Sequence, residues 1–200
     1  MNDCELASWT PTAARVRVVA VVGSAGRLNP EVEALCHALG NALMDAGFRI
    51  VTGGCGGVMR AVSAGARESA SWVEGRILGI VPSYRRSEAN EYCDVVIPSG
   101  MQHARNVLVV SSADVVIAVD GGAGTLSELA LAWQLGRPIV ALGEAGWAGR
   151  LAGEFLDSRG SEPIASARTV DEATRLCLTL SESALHCGEI GDGSRKRGGT

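Results

Sequence analysis

Lysine is nearly missing from this chain, which carries 17 arginines and a single lysine, Lys196, close to its C-terminal end. A pyridoxal-phosphate Schiff base needs a lysine amine inside the domain, and a Walker-type loop ends in Gly-Lys followed by Ser or Thr, so neither chemistry is available. Long apolar runs are missing too. Stretches such as Val18–Val22 and Val115–Val119 have the length of buried strands, well short of the roughly 18–20 residues of a membrane span, and no membrane partner is expected. The six cysteines form no CxxC pair and the three histidines no HxxxH, so the spacing of a metal site is lacking and scattered reduced thiols are expected. There is no basic excess: the net charge is −4, the wrong sign for holding a nucleic-acid backbone, which leaves small molecules or proteins as partners. The opening Met1-Asn2-Asp3-Cys4-Glu5 is acidic and no apolar stretch follows it, so no signal peptide is expected and the protein is read as cytoplasmic.

What the chain does have is 46% hydrophobic residues and 26 glycines in 200 positions, the composition of one globular domain. β-branched runs alternate with helical spacing. Strands are expected at Arg17–Val22, Phe48–Val51, Ile77–Val81, Val95–Ile97, Val115–Val119 and Ile139–Leu142. Helices are expected over Glu31–Ala46, Val58–Ser69, Met101–Ser111, Thr125–Leu135, around Trp147–Leu156, and over Val170–Leu180 with Thr169 as N-cap. Gly136-Arg137-Pro138 reads as a helix stop. Such alternation predicts a three-layer, doubly wound α/β domain of the Rossmann-like class over residues 15–180, with a parallel sheet and helices on both faces. Residues 1–14 are expected to be a flexible leader, and 181–200 a disordered tail that can be removed without loss of stability.

Three glycine loops follow expected strands: Gly23-Ser24-Ala25-Gly26, Gly53-Gly54-Cys55-Gly56-Gly57 and Asp120-Gly121-Gly122-Ala123-Gly124-Thr125. In open parallel sheets ligands bind outside the carboxyl ends of the strands, where all three should fall. Each would present amides at a helix N-terminus, a setting that favours phosphate. The first loop departs from GxGxxG, so an ordinary NAD site is not met. Arg105, next to Asn106, and Glu128, on the helix opened by Thr125, are the charged residues best placed near these loops. They can act on a ligand, or they can be a first-turn helix carboxylate and its surface ion-pair partner. His103 reads as a helix-surface residue and Cys55 as a small residue filling a tight turn.

Gly121-Gly122-Ala123-Gly124-Thr125-Leu126-Ser127-Glu128, preceded by Met101-x-x-x-Arg105, resembles the PGGxGTxxE and M-x-x-R-K elements of the LOG-like ("Lonely Guy") Rossmann proteins. Members are often labelled lysine decarboxylases; the missing core lysine argues against that activity. In cytokinin-activating members the matching arginine and glutamate serve N-glycosidic cleavage of a nucleoside monophosphate while glycine loops hold its phosphate. Here Asp120 replaces the family's proline, Asn106 its lysine and Val109 its methionine. The pattern is more similar to the branch that includes molybdenum-cofactor carriers, which bind a phosphorylated pterin without turning it over. The resemblance implies a homodimer with no required cofactor that binds a nucleotide or molybdenum cofactor. The implied ligand-binding residues are Gly23, Ser24, Gly26, Gly53, Gly54, Gly56, Gly57, Met59, Arg105, Asn106, Asp120, Gly121, Gly122, Gly124, Thr125 and Glu128. Arg105 and Glu128 become catalytic if the chain is a phosphoribohydrolase.

Overall fold

Valine, isoleucine and alanine fill the inner strands because these strands are covered on both faces, which removes the polar alternation of a half-exposed sheet. The computed structural model describes residues 15–158 and 160–188. Its strands are β1 (Val18–Gly23), β2 (Arg49–Thr52), β3 (Ile77–Val81), β4 (Val95–Pro98), β5 (Val115–Val119), β6 (Ile139–Leu142) and β7 (Ala165–Ala167). They form one parallel sheet in the order β4-β3-β2-β1-β5-β6-β7. The chain winds outward from β1 to β4, returns to place β5 beside β1, and then winds outward the other way. The switch point between β1 and β5 is where such a sheet opens its ligand crevice.

Among the described residues six helices cover the sheet: α1 (Pro30–Asp45), α2 (Val58–Glu68), α3 (Asn106–Ser111), α4 (Ala123–Gln134), α5 (Gly146–Leu151) and α6 (Val170–Gly188). Val19 and Val21 face one core with α1, α2 and α6, through Leu39, Leu43, Val62 and Cys177. Ala20 and Val22 face the other core with α3, α4 and α5, through Val110, Leu129, Trp133 and Ala148. The two-residue strand period thus feeds two separate cores. Helices α1 and α2 cross with their backbones touching. A Cβ on Gly40 would lie 1.9 Å from the Val62 carbonyl oxygen, and one on Gly65 would lie 1.8 Å from that of His37.

The doubly wound parallel architecture is as expected, with β3, β5 and β6 at their expected bounds. Gly136, at φ +65°, ends α4 as read from sequence. Thr169 caps α6 by accepting the Glu172 amide at 3.2 Å. Differences lie in small or polar segments. A 3-10 turn at Gln102–Arg105 takes the place of the first part of the single helix expected there. Helix α5 stops at Leu151, and β7, an Ala-Ser-Ala strand without apolar periodicity, was not legible. Helix α6 runs eight residues past Leu180: Ser181 is fully buried, and Arg17 donates to Glu182 at 2.9 Å. The expected tail therefore begins inside a helix, because α6 finds a partner in Arg17, just ahead of β1, that its own sequence does not reveal. Truncation after Leu180 should lower the thermal midpoint by a few degrees, roughly 1–2 kcal/mol for two lost helical turns and an ion pair, which calorimetry would check. The expected leader, 1–14, and residues 189–200 lie outside the described residues.

Candidate functional site

The carboxyl ends of β2, β1 and β5 are neighbours in the sheet, so the three glycine connections meet at one edge. Gly57 joins the first two. Its φ is +59° and a Cβ there would lie 2.1 Å from the Ser24 carbonyl oxygen, which also accepts the Val58 amide at 2.9 Å. A side chain at Gly57 would force the loops apart. The Ser24 hydroxyl accepts from the Gly26 amide at 3.3 Å, and Gly56 approaches the Ala25 carbonyl, so Ser24, Gly26 and Gly56 shape the turns themselves. A Cβ on Gly23 would sit 2.5 Å from the Val119 carbonyl oxygen, so that glycine lets β1 and α2 close on β5.

Gly54 donates to Thr52 Oγ1 at 3.0 Å, and Asn90 clamps the same loop from the β3–β4 connection. Its amide side chain donates to the carbonyls of Gly54 and Cys55 at 3.2 and 3.0 Å. Sequence reasoning missed Asn90, since an asparagine in a polar loop carries no signal of its own. The Cys55 thiol donates to the Gly53 carbonyl at 3.4 Å, as a turn-filling residue would.

Gly53 makes room for the charged pair. A Cβ there would lie 2.5 Å from Arg105 Nη2 and 2.9 Å from Met59 Sδ, so Gly53, Met59 and Arg105 come together. Arg105 Nη1 donates to Glu128 Oε1 at 3.4 Å and also to Asn106 Oδ1, whereas its buried Nε has no hydrogen-bond partner. The side chains of Arg105 and Glu128 are only 12% and 9% exposed. This corrects the surface-pair alternative. Helix α4 begins at Ala123, which makes Glu128 its sixth residue, beyond the first turn where the helix dipole acts. Burial pushes the Glu128 carboxyl up to about 7, and the Arg105 charge pulls against that rise. A buried carboxyl that titrates near neutrality beside a cation with a free donor can exchange either a proton or an anion.

The start of α4 is open. Gly121, at φ +102°, lets the buried Thr125 pack over it: a Cβ there would lie 2.3 Å from Thr125 Oγ1. Cβ atoms on Gly122 and Gly124 would meet nothing within 4 Å, and no side chain caps this helix, so its first amides are free to bind an anion. Asp120 is not brought to the pair. Held at φ +53°, its Oδ1 lies 2.6 Å from where a Gly146 Cβ would be. It lines a cavity of about 230 Å³ beside α1 with Glu31, Val32 and Glu144. His103 is exposed, as expected of a surface residue. Among the described residues no group of three His, Cys, Asp or Glu is placed to hold a metal ion, and no helix is long and apolar enough to cross a membrane.

Known proteins resemble this chain in sequence and fold. The SLOG cluster4 family model matches residues 16–174. A cytokinin riboside 5'-monophosphate phosphoribohydrolase of Mycobacterium marinum is 30% identical over 177 residues, 80% of this chain and 92% of that protein. The molybdenum cofactor binding protein of Rippkaea orientalis superposes with a TM-score of 0.71 at 29% identity, covering 86% of this chain and 99% of its own. The Moco carrier protein of Chlamydomonas reinhardtii gives a TM-score of 0.71 at 26% identity, over 84% and 99% of the two chains. Matched by that model from residue 16 to residue 174, the chain belongs to the SLOG cluster4 family.

Proposed function

We propose that the protein is a carrier that binds a phosphate-bearing nucleotide or nucleotide-like cofactor, of the molybdenum cofactor kind, at the carboxyl edge of the sheet. The phosphate sits on the amides at the start of α4, Arg105 takes an anionic group of the ligand, and the Gly53–Gly57 connection forms the opposing wall. One observation carries this reading. An uncapped helix start with open space at Gly122 and Gly124 lies on the helix that also bears Glu128, paired with an arginine that keeps a buried donor unsatisfied. Amides and a cation suit a phosphate. The likeness to cofactor-binding structures supports cargo over turnover, as does a neutral asparagine at position 106 where the cytokinin-activating pattern has lysine. The protein assembles as a homodimer; Val95 and Ile97, exposed on the edge strand β4, supply an apolar surface for it.

A nucleoside monophosphate phosphoribohydrolase is the second reading. It is favoured by Glu128, whose carboxyl near neutrality suits acid–base work, and by the mycobacterial relative. Thermal shift tests the phosphate site common to both. Phosphorylated ligands should raise the midpoint while their dephosphorylated forms do not. Gly122→Asp should abolish the rise without unfolding the protein, because its side chain enters open space and sets a carboxylate where the phosphate would lie. Equal stabilisation by nucleosides would sink the reading.

A further inference from the structure

We propose that this site binds anions and protons together: an anion that takes Arg105 releases Glu128, whose carboxylate takes a proton from solvent and turns hydrogen-bond donor toward the ligand. The inference rests on the reading of Arg105 as the anion-binding group. Arg105 is divided among its neighbours. Nη1 serves Glu128 and Asn106, Nη2 lies over Gly53, and the buried Nε serves no acceptor. The 3.4 Å contact to Glu128 is long for a charged hydrogen bond, so an incoming dianion can outcompete it. Glu128 then loses its counter-charge while staying nine-tenths buried, and an unpaired buried carboxylate is costly enough to protonate instead.

Other titratable groups around the pair leave this exchange to Glu128. Arg105, on the 3-10 turn, is the charged side chain that acts on Glu128, and Asn106 on α3 and Thr125 on α4 carry no charge. The Cys55 thiol of the β2–α2 connection donates to the Gly53 carbonyl, Asp120 leans toward Gly146, and His103 is exposed. The sign follows from the opposing effects on Glu128. Burial raises it to about 7 against the pull of Arg105; neutralising Arg105 removes the pull and raises it further. Between about 7 and that higher value the free protein holds Glu128 ionised and the bound protein holds it protonated. Affinity there should fall roughly tenfold for each unit of rising pH, with the dependence fading below about 7.

Sulfate is a suitable probe because it stays a dianion throughout this range. Its binding can be measured by titration calorimetry at about pH 6.5, 7.5 and 8.5, in pairs of buffers with different ionisation enthalpies. Wild-type protein is expected to take up close to one proton per sulfate at the highest pH, with roughly tenfold weaker binding there than at about pH 7.5. Glu128→Gln should show no pH slope. It should also bind sulfate roughly tenfold or more tightly than wild type at about pH 8.5, because an uncharged amide no longer competes for Arg105; a merely structural glutamate would give no such gain. Absence of proton uptake by wild type, an equal slope in Glu128→Gln, or no sulfate binding at any pH would each overturn the proposal. The buffer comparison on wild type decides the matter even if the variant fails to fold. Stabilisation by nucleoside monophosphates without proton-linked sulfate binding would remove this inference and leave the carrier reading standing. Failure of every phosphorylated ligand to bind would remove both.

Discussion

Wild-type protein incubated with AMP or another nucleoside monophosphate is expected to release no free base above the uncatalysed background, while Arg105→Ala binds the phosphorylated ligand about 1.5–3 kcal/mol more weakly. That loss is the scale of a charge-assisted hydrogen bond in a partly desolvated site and amounts to roughly ten- to a hundredfold or more in Kd. The fold should tolerate the substitution. Arg105 leaves behind a carboxyl already raised to about 7, and without the arginine Glu128 is held neutral, which avoids an uncompensated buried charge. Base release followed by chromatography, with Kd measured in parallel, separates the two readings. A hydrolase spends Glu128 at the top of the barrier, so Glu128→Gln would cut turnover by orders of magnitude with binding retained. A carrier has no such barrier to lower. Rapid release of base by wild type, lost in Glu128→Gln without loss of affinity, would make the phosphoribohydrolase the primary reading.

The largest stability effect is expected away from the site, at Asp94. Its side chain is 1% exposed. Oδ2 accepts the Trp72 indole N–H at 3.2 Å and the amides of Arg76 and Ile77 at 3.1 and 3.0 Å; Oδ1 accepts Arg67 at 2.8 Å. The Arg67 guanidinium also lies 4.2 Å over the Trp72 ring. One carboxylate thus ties the end of α2 to the starts of β3 and β4. Asp94→Ala would leave these donors unsatisfied and should cost about 3–5 kcal/mol, a fall in thermal midpoint of roughly 6–20 °C. Arg67→Ala, which removes the half-exposed partner and leaves the amides served, should cost about 1 kcal/mol or less. Equal losses in the two variants would show that the ion pair, and not the buried acceptor, holds this corner.

Much of the architecture was legible because it depends on local chemistry. Runs such as Val115–Val119 and Ile139–Leu142 are apolar throughout and mostly β-branched, and only a sheet covered on both faces buries them completely. Gly136 and Thr169 mark helix ends because the left-handed backbone and the hydroxyl cap are each requirements of a single residue. The glycine connections were visible as clusters, and their placement at one edge followed from parallel strand order. By contrast, Ala165–Ala167 has no periodicity and becomes a strand because β6 offers it an unpaired edge. Helix α6 extends past Leu180 for a similar reason, since Ser181 is buried by packing between elements distant in sequence.

The residue types at the site were set by the sequence alone: an arginine, a glutamate 23 positions later, and glycines that permit close backbone approach. What they do to one another was decided by the tertiary structure. Arg105 and Glu128 read equally well as a surface ion pair until β2, β1 and β5 bring Gly53 and Met59 against the guanidinium and α4 carries Glu128 below its first turn. Burial then sets the chemistry, because desolvation of a carboxylate depends on every element packed around it and on no single neighbour in the chain. Asp120 shows the converse. Next to the glycine loop in sequence, it is turned toward Gly146 by a positive φ, since direction in space is a property of the fold that adjacency along the chain does not carry.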